Sequence, residues 1–459
     1  MGSRTMNDSL ILGSRRLDEA QPLMDTLDSY LAGQVPLKFV APEIEEATKG
    51  RLKTLSINYA RVVVAALEER LEVRGFRIGE TIEPSLWDIW QHSGMDESSA
   101  NAHQDALVYG RSYLLVWIGP DGLPRITAES PRQVWVEHAP GSRQRIFAVK
   151  RYVGTDGHGY ATLFTPTTVE LFRSVGKVVL SEDSQNPSAQ PVFSVTSTGW
   201  TKVNEVSNPL GVVPVIPIIN KGRTLMTNGE SELADLLPLL DAINKLASDL
   251  MVAAEFSAMP RRYVTGLTPL PEKKDAQGNP TGEIDTDAFD PVAGRLWMSE
   301  SAETKFGEFA GSDLGSFTNA MDKLVMTLAS LANLPLHYVG VTQVNPASAD
   351  ALRASEASLA VKARRRQQSY SDPYEEAMRL AVAIRDGRFD PRLDKLEVVW
   401  KDAETRTLAQ SADAALKLVA GGLVPVDQAL ADLGYTPTEI ERMREMRSRD
   451  TTTEKELSA

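Results

Sequence analysis

Two long amphipathic segments, separated by an insert of different character, constrain the fold of this sequence more than any other feature. Residues 230–257 and 313–333 carry apolar side chains at three- and four-residue steps, the spacing of a helix with one apolar face. At 1.5 Å per residue, each helix is roughly 30–40 Å long. Their apolar stripes suit packing on each other or on copies of the same chain. The residues predicted to make this packing are Leu240, Ile243, Leu324, Leu328 and Leu331.

The insert between the two helices, residues 259–312, is rich in proline, glycine and charge. Residues 263–265 and 295–298 have the composition of short strands, whereas residues 269–290 are typical of an exposed loop. The sequence therefore predicts a small β-containing element at the tip of a helical pair.

The first quarter of the chain is predicted to be helical. Apolar residues recur with helical spacing in four segments, residues 18–31, 49–73, 86–93 and 97–109. Gly75 is the predicted end of the second helix, because glycine tolerates the backbone conformation found just beyond a helix.

The periodicity changes at Gly110, where apolar and polar residues begin to alternate. This alternation predicts an antiparallel meander of roughly six short strands. Residues 212–220 follow and contain Pro214 and Pro217. Because each proline removes a donor from the hydrogen-bond ladder, this segment is predicted to lie at the edge of a sheet.

The C-terminal part is predicted to be mostly helical. A long helix is expected at residues 347–385, and Pro373 is expected to break or bend it because its ring clashes with the preceding turn. Residues 396–400 predict a lone strand. Three further helices are expected at residues 405–420, 427–433 and 436–447, the last with Thr436 and Glu439 as a capping box and a frayed tail from Ser448. Together these parts predict an α+β fold.

Neither the composition nor the motifs point to an enzyme. The chain has no cysteine, which excludes disulfides and thiolate metal sites, and it has no phosphate-binding loop and no nucleophile elbow. The five histidines lack the spacing of a helical metal pair. The sequence therefore predicts no catalytic residue, no metal ligand and no cofactor. The densest carboxylate group is interpreted as a solvated surface, with a Mg²⁺ or Ca²⁺ site as the alternative, and consists of Glu283, Asp285, Asp287 and Asp290.

The charge balance bears on possible partners. With 62 acidic and 49 basic residues the formal net charge is −13, which disfavours tight binding of DNA because such proteins present a basic face. No apolar stretch approaches the length of a membrane span. The one basic run is interpreted either as a DNA contact or as a solvated or inter-subunit face of the long helix, and consists of Lys362, Arg364, Arg365 and Arg366. On the second interpretation the expected acidic partners are Glu356, Asp372, Glu375 and Glu376.

Four segments, taken in order, carry a resemblance to a known family. Residues 211–220 are similar to the proline-containing segment that precedes the stem in members of that family. Residues 241–266, with Met-Pro-Arg-Arg-Tyr at 259–263, are similar to a stem helix that leads into a clip. Residues 345–352 are similar to a tunnel loop that passes into a long helix, and residues 396–400 to the strand that returns through the wing. The family is that of phage portal proteins, the head-to-tail connectors of tailed siphophages, and the likeness is closest to the branch from phages of actinobacteria.

The resemblance implies a portal fold with an α/β wing, a two-helix stem, a small β-containing clip, a long kinked wing helix and a helical crown. The implied boundaries are residues 1–229 for the N-terminal part of the wing, 230–258 and 313–334 for the stem helices, 259–312 for the clip, 335–347 for the tunnel loop, 348–403 for the long helix and return strand, and 404–459 for the crown and tail.

The resemblance also implies a function. Family members form a dodecameric ring at the capsid vertex of the virion, assembled in the host cytoplasm, through which double-stranded DNA is packaged and ejected. The implied partners are further copies of the chain, DNA without sequence specificity, the terminase large subunit, a head-completion adaptor and the major capsid or scaffolding protein. Residues 336–349 contain no charged side chain, and the residues expected to face DNA are His337, Tyr338, Val341, Thr342, Gln343, Val344 and Asn345.

Two other functions are compatible with the sequence. A monomeric minor-capsid or scaffold-binding protein would share the helical content but would not form a ring. A phage nuclease or hydrolase would require acids, bases or metal ligands that converge on one site.

Overall fold

The computed structural model describes residues 6–38, 56–79, 81–178, 199–224, 226–258, 262–266, 272–275, 277–284, 303–308, 313–340, 349–404 and 408–457. The chain forms two compact units. The larger unit contains Met1–Val35, Asn58–Pro238 and Leu328–Ala459, and the smaller contains Pro36–Ile57 and Leu239–Thr327. The prediction of a mixed helix and strand fold is confirmed.

The larger unit begins with four helices, in agreement with the predicted helical first quarter. They are α1 (Met6–Ala32), α2 (Tyr59–Glu68), α3 (Pro84–His92) and α4 (Met95–Tyr109). The predicted end of the second helix at Gly75 is wrong, because α2 ends at Glu68 and Gly75 lies within a strand. The apolar residues that follow Glu68 belong to that strand and not to a further helical turn.

The largest sheet is an antiparallel meander of five strands, β5 (Val134–His138), β6 (Arg145–Val153), β7 (His158–Phe164), β8 (Thr168–Lys177) and β9 (Trp200–Ser207). Helix α1 packs on this sheet, where Leu10 and Leu17 join Phe147, Val149 and Leu163 in one buried cluster. The close approach requires glycine at position 13, because a Cβ there would lie 2.6 Å from a methyl group of Val149.

A second sheet contains β3 (Arg111–Ile118), β4 (Pro124–Glu129) and β10 (Val215–Ile219) in the order β10-β3-β4. The prediction of a single meander from Gly110 is therefore wrong, since its first two strands, β3 and β4, form a separate sheet in which β3 also pairs with the later β10. The predicted edge position of the proline-containing segment is confirmed, because β10 pairs only with β3 among the described strands.

A third sheet joins distant parts of the chain, with β15 (Leu396–Trp400), β1 (Val73–Ile78) and β2 (Thr81–Ile82) in the order β15-β1-β2. The prediction of a lone strand at 396–400 is wrong, because β15 pairs antiparallel with β1 over most of its length. Their separation of more than 300 residues left no local signal of the pairing in the sequence.

The long helix is α7 (Ala349–Asp386), 38 residues in length, and it continues through Pro373. Of the two predicted outcomes, a break at Pro373 is wrong, because tertiary packing outweighs the local cost of proline, about 3 kcal/mol in a helix interior. A bend at Pro373 stays a prediction. Four neighbours on the same face, Tyr370, Tyr374, Ala377 and Met378, have no solvent exposure. A short 3-10 helix, Pro391–Lys395, leads from α7 to β15.

The C-terminal helices are α8 (Leu408–Ala420), α9 (Val426–Asp432) and α10 (Pro437–Leu457). The predicted capping box is confirmed, since the backbone N–H of Thr436 donates to the carboxylate of Glu439 at 2.8 Å and the N–H of Glu439 donates to the Thr436 hydroxyl at 3.4 Å. The last helix extends to Leu457, beyond the predicted end at residue 447, and fraying of the tail from Ser448 stays a prediction.

The smaller unit contains most of α5 (Leu237–Ala258) and α6 (Leu314–Ala332), which confirms two helices of similar length. Helix α5 starts later than the predicted residue 230, since Ser231 to Leu236 form turns and Pro238 occupies the first turn, where it costs no hydrogen bond. Within this unit the side chain of Asn244 accepts from the backbone N–H of Ile57 at 2.9 Å.

The insert between α5 and α6 contains two small strand pairs. Strand β11 (Arg262–Thr265) pairs with β14 (Lys305–Glu308), and β12 (Glu272–Lys274) pairs with β13 (Pro280–Ile284). The β-containing insert is therefore confirmed, although a hairpin lies where a loop was predicted. The predicted strand at 295–298 and the carboxylates Asp285, Asp287 and Asp290 lie outside the described residues.

None of the helices in the described ranges combines the length and the hydropathy that a membrane span requires.

Candidate functional site

The beginning of the predicted tunnel loop, residues 335–347, is fixed by a buried arginine. Residues Leu336–Val339 form a single 3-10 turn. The hydroxyl of Tyr338 accepts a hydrogen bond from Nη2 of Arg70 at 3.0 Å and donates one to Glu356 at 3.4 Å. We refer to Arg70, Tyr338, Glu356 and His337 as the Arg70 cluster.

The Arg70 cluster connects three elements of the larger unit. Arg70 follows α2 and also donates from Nη1 to the carbonyl of Ala66 at 2.8 Å, so its guanidinium has a fixed orientation. Glu356 lies on α7 and is within 3.4 Å of Arg70 Nη2 and 3.7 Å of His337 Nε2. The turn at the beginning of the predicted loop is thus attached both to the end of α2 and to the first part of α7.

A second cluster fixes the middle of α7. The carboxylate of Glu232, whose side chain is only 1% exposed, lies 2.9 Å from the ammonium of Lys362 and 2.7 Å from the guanidinium of Arg366. The ammonium of Lys221 is 3.5 Å away. These four residues form the Glu232 cluster, in which three cations surround one carboxylate.

The ionisation of Glu232 is set by two opposed effects. Burial alone would raise its pKa, but the three cations outweigh burial and lower the pKa from 4.5 to about 2. For Lys362 the balance is reversed, because burial lowers its pKa and Glu232 only partly compensates. The carboxylate is therefore charged at neutral pH and holds both α7 cations close to the chain segment before α5.

Lys362 has an additional role in the geometry, because its ammonium also donates to the carbonyl of Ala332 at 3.0 Å. Ala332 is the last residue of α6, where helix carbonyls lack partners within the helix. Lys362 thus connects the end of α6, the chain before α5 and the middle of α7 through one side chain.

The backbone beside the Glu232 cluster is packed unusually closely. The side chain of Asn220, which is fully buried, donates to the carbonyl of Glu230 at 2.7 Å and to Glu232 at 3.2 Å. Its backbone N–H donates to the carbonyl of Gly110 at 2.9 Å. A Cβ at Gly229 would lie 2.0 Å from the carbonyl oxygen of Asn220, so only glycine fits there.

The basic run on α7 does not have the partners that the sequence predicted. Lys362 and Arg366 pair with Glu232, and Arg364 pairs with Glu404 at 2.5 Å. The predicted acids mostly have other cations as partners, since Glu356 contacts Arg70, Glu376 contacts Arg145 and Glu375 contacts Arg379. Arg365 is exposed and belongs to none of the ion pairs among the described residues.

The predicted DNA-facing residues are only partly described. His337 and Tyr338 belong to the Arg70 cluster, with the imidazole of His337 one-third exposed. Val341, Thr342, Gln343, Val344 and Asn345 lie outside the described residues.

The residues predicted to pack along the helical pair differ in exposure. Leu240, Ile243 and Leu328 are buried within the chain, and Leu324 is half-buried. Leu331, in contrast, is 57% exposed, so a single chain does not cover it.

Sequence reasoning missed Arg70 and Glu232. Both carried a usable signal, because each is a charged residue at an apolar position of its segment. Arg70 lies between Leu67 and Leu71, and Glu232 precedes Leu233 and Leu236. A charge inside an apolar stripe requires a buried partner, but the sequence alone does not say which one. Among the described residues, no group of three acidic, histidine or cysteine side chains is arranged to hold a metal ion.

Comparison with known proteins identifies the family. Residues 15–453 match the sequence profile of the phage portal proteins described as SPP1 Gp6-like. The chain belongs to this phage portal protein family. It is 32% identical over 405 residues to the portal proteins of Mycobacterium phages L5 and D29, which covers 84% of this chain and 78% of each relative.

Solved structures with a similar chain come from gene transfer agent particles. The neck of a native particle, computed with C12 symmetry, is 13% identical with a TM-score of 0.43 and covers 89% of this portal protein and 98% of that chain. The neck of an empty particle, computed with C6 symmetry, is 13% identical with a TM-score of 0.45 and covers 86% and 93%.

Proposed function

We propose that this portal protein is the subunit of a dodecameric ring at a capsid vertex, assembled in the host cytoplasm, through which double-stranded DNA is packaged and later ejected. The observation that carries the proposal is the family match over residues 15–453, nearly the whole chain. A portal is a structural component of the particle, and we propose no enzymatic activity for it.

In this proposal, residues 1–229 and 348–403 form the wing, and residues 404–459 form the crown and tail. The stem comprises residues 230–258 and 313–334, which include α5 and α6. Residues 259–312 form a clip that docks the terminase large subunit and later a head-completion adaptor, and the capsid or scaffolding protein contacts the ring elsewhere. The paired strands β11 and β14 at the base of the insert support a compact clip.

The proposed contact with DNA is the loop at residues 335–347. The Arg70 cluster supports it, because it fixes the turn with which this loop begins. A loop without charged side chains contacts DNA equally at every position along the duplex. DNA that passes through the channel is therefore not held at any one step. We include Arg365 as a possible contact with DNA or a neighbouring subunit, because it is the exposed cation of the basic run.

The net charge fits a conduit better than a DNA-binding surface. Twelve subunits of −13 each carry −156 in total. Negative charge along a channel wall repels phosphates and keeps DNA free to slide.

Light scattering and negative-stain microscopy of the purified full chain test the proposal. We expect ring-shaped particles with a central hole and the mass of twelve 50.2 kDa subunits. A chain that stays a 50.2 kDa monomer under all conditions would instead support a monomeric minor-capsid or scaffold-binding protein.

A further inference from the structure

An apolar groove of about 390 Å³ lies in the larger unit, between the end of β9 and the C-terminal end of α7. It shares no residue with the tunnel loop or with either cluster described above. The apolar side chains that line it are Trp117, Ile118, Val206, Leu210, Ile384 and Phe389.

The walls of the groove are open to solvent. Ile118 and Phe389 are each 53% exposed and Val206 is 41% exposed, whereas Leu210 at the base is only 5% exposed. Large apolar side chains that face one another across an open groove mark a binding surface, because burying them between two partners is favourable.

Strand β9 supplies backbone groups beside this groove. Among the described strands it pairs only with β8, so its other edge offers unpaired N–H and C=O groups. The first half of the edge is protected by the charged Lys202 and by a bulge at Val203, which are common defences against unwanted strand pairing. Val206 and Ser207, next to the groove, lie beyond both.

The rim of the groove carries an arginine that belongs to none of the ion pairs among the described residues. Arg388 is exposed, and none of the ion pairs within 4.0 Å among the described residues includes it. The pKa of each of its acidic neighbours, Asp386 and Asp390, is lowered mainly by a hydrogen bond from another arginine, and Arg388 helps to lower both. Asp386 pairs with Arg385, and Asp390 pairs with Arg392, so three arginines share two carboxylates. A guanidinium at the rim selects a carboxylate in whatever binds below it.

We propose that this groove binds an extended peptide segment of a partner protein that carries an apolar side chain next to a carboxylate. The apolar side chain fills the groove between Ile118 and Phe389, the carboxylate pairs with Arg388, and the peptide backbone adds to the edge of β9 at Ser207, whose backbone groups alternate with those of Val206 and face away from β8. This mode combines strand addition with a side-chain pocket. It goes beyond the proposed portal function, which does not depend on it.

Selection from a random peptide library on the immobilised full chain tests the proposal. We expect enriched peptides to combine an apolar with an acidic residue. Their affinity, measured by fluorescence anisotropy, should fall about tenfold or more in Phe389→Ser and in Arg388→Glu, as for interface anchors. Methylation of peptide backbone nitrogens should also weaken binding, because it removes donors for strand pairing.

The controls are matched by exposure and charge. Leu416→Ser removes an apolar side chain that is 70% exposed on α8, and Arg143→Glu reverses an exposed cation on the turn before β6. Both should leave peptide binding unchanged. If Phe389→Ser fails to fold, as judged by its melting curve, Ile118→Ser replaces it.

Three results would overturn the proposal. The first is that no peptide is enriched, and the second is that enriched peptides bind the Phe389 and Arg388 variants as tightly as the natural chain. The third is that Phe389→Ser dissociates assembled rings while no peptide binds, in which case the groove is a contact between copies.

Discussion

At the scale of single residues, the Glu232 cluster shows how a buried charge is stabilised by its surroundings. Desolvation of a carboxylate that is 1% exposed costs several kcal/mol, and three cations within 3.5 Å offset that cost. The dependence is mutual, because Lys362 and Arg366 are themselves largely buried and need the same carboxylate. Removing one member therefore leaves the others without compensation.

We expect Glu232→Gln to lower the free energy of unfolding at pH 7 by about 3–5 kcal/mol, the usual cost of breaking a buried ion pair from one side. The measurement is urea unfolding of the purified chain. Arg364→Gln is the control, because its ion pair is exposed and is worth about 1 kcal/mol or less.

The loss of unfolding free energy caused by Glu232→Gln should depend on pH. Because the folded-state pKa of Glu232 is about 2 and its ordinary value is 4.5, the carboxylate contributes about 3 kcal/mol that is fully present above pH 4.5 and is lost as the pH falls toward 2. The difference between the natural chain and Glu232→Gln should therefore shrink over that range. A difference that stays constant from pH 7 to pH 3 would show that Glu232 is not held ionised by its neighbours.

At the scale of elements, the junction between β10, α4 and the chain before α5 depends on a glycine, Gly229, because a side chain does not fit at this position. Gly229 lies against two backbone carbonyls, those of Asn220 and Gly110, and neither is the flexible end of a side chain. An added methyl group therefore cannot be accommodated by a rotamer change. The backbone must shift, and with it the hydrogen bonds of Asn220.

We expect Gly229→Ala to destabilise the chain by about 1–3 kcal/mol or more, as overpacking does. Differential scanning calorimetry would measure this as a lower melting temperature. The control is Gly176→Ala at the end of β8, where an added Cβ meets nothing within 4 Å, and this variant should change stability by less than about 1 kcal/mol. Equal melting temperatures for the two variants would contradict the close packing at Gly229.

The elements that the sequence predicted well are those with a local signal. The periodicity of α6, the capping box at Thr436 and the edge position of the segment with Pro214 and Pro217 all follow from neighbours within a few residues. The failures depend on distant contacts. Pro373 did not break α7 because buried aromatic residues stabilise the helix around it, and the partner of Lys362 lies 130 residues upstream, at Glu232.

At the scale of the whole molecule, the exposure of Leu331 is expected for the subunit of a ring but not for a monomer. Its side chain is 57% exposed at the end of α6 although it belongs to the apolar stripe of that helix. Burial of such a residue by a neighbouring copy would explain an apolar side chain at this position. The proposed ring therefore predicts that a charge at Leu331 affects assembly and not folding.

We expect Leu331→Asp to change the unfolding free energy of the subunit by less than about 0.5 kcal/mol, as for other surface sites, but to prevent ring formation. Light scattering and melting curves on the same sample separate the two effects. Leu23→Asp on α1, where the leucine is 62% exposed, is the control and should still form rings. Normal rings from Leu331→Asp would show that this residue is not an interface.

The pairing of β15 with β1 has a consequence for biosynthesis. Strand β1 begins at Val73, but its partner ends at Trp400, so a ribosome must translate both segments before this sheet can close. Until then, the nascent polypeptide exposes the edge of β1 to chaperones and to other unfinished chains. A truncated product that stops short of residue 396 would lack the strand that pairs with β1, and we expect it to fold incompletely.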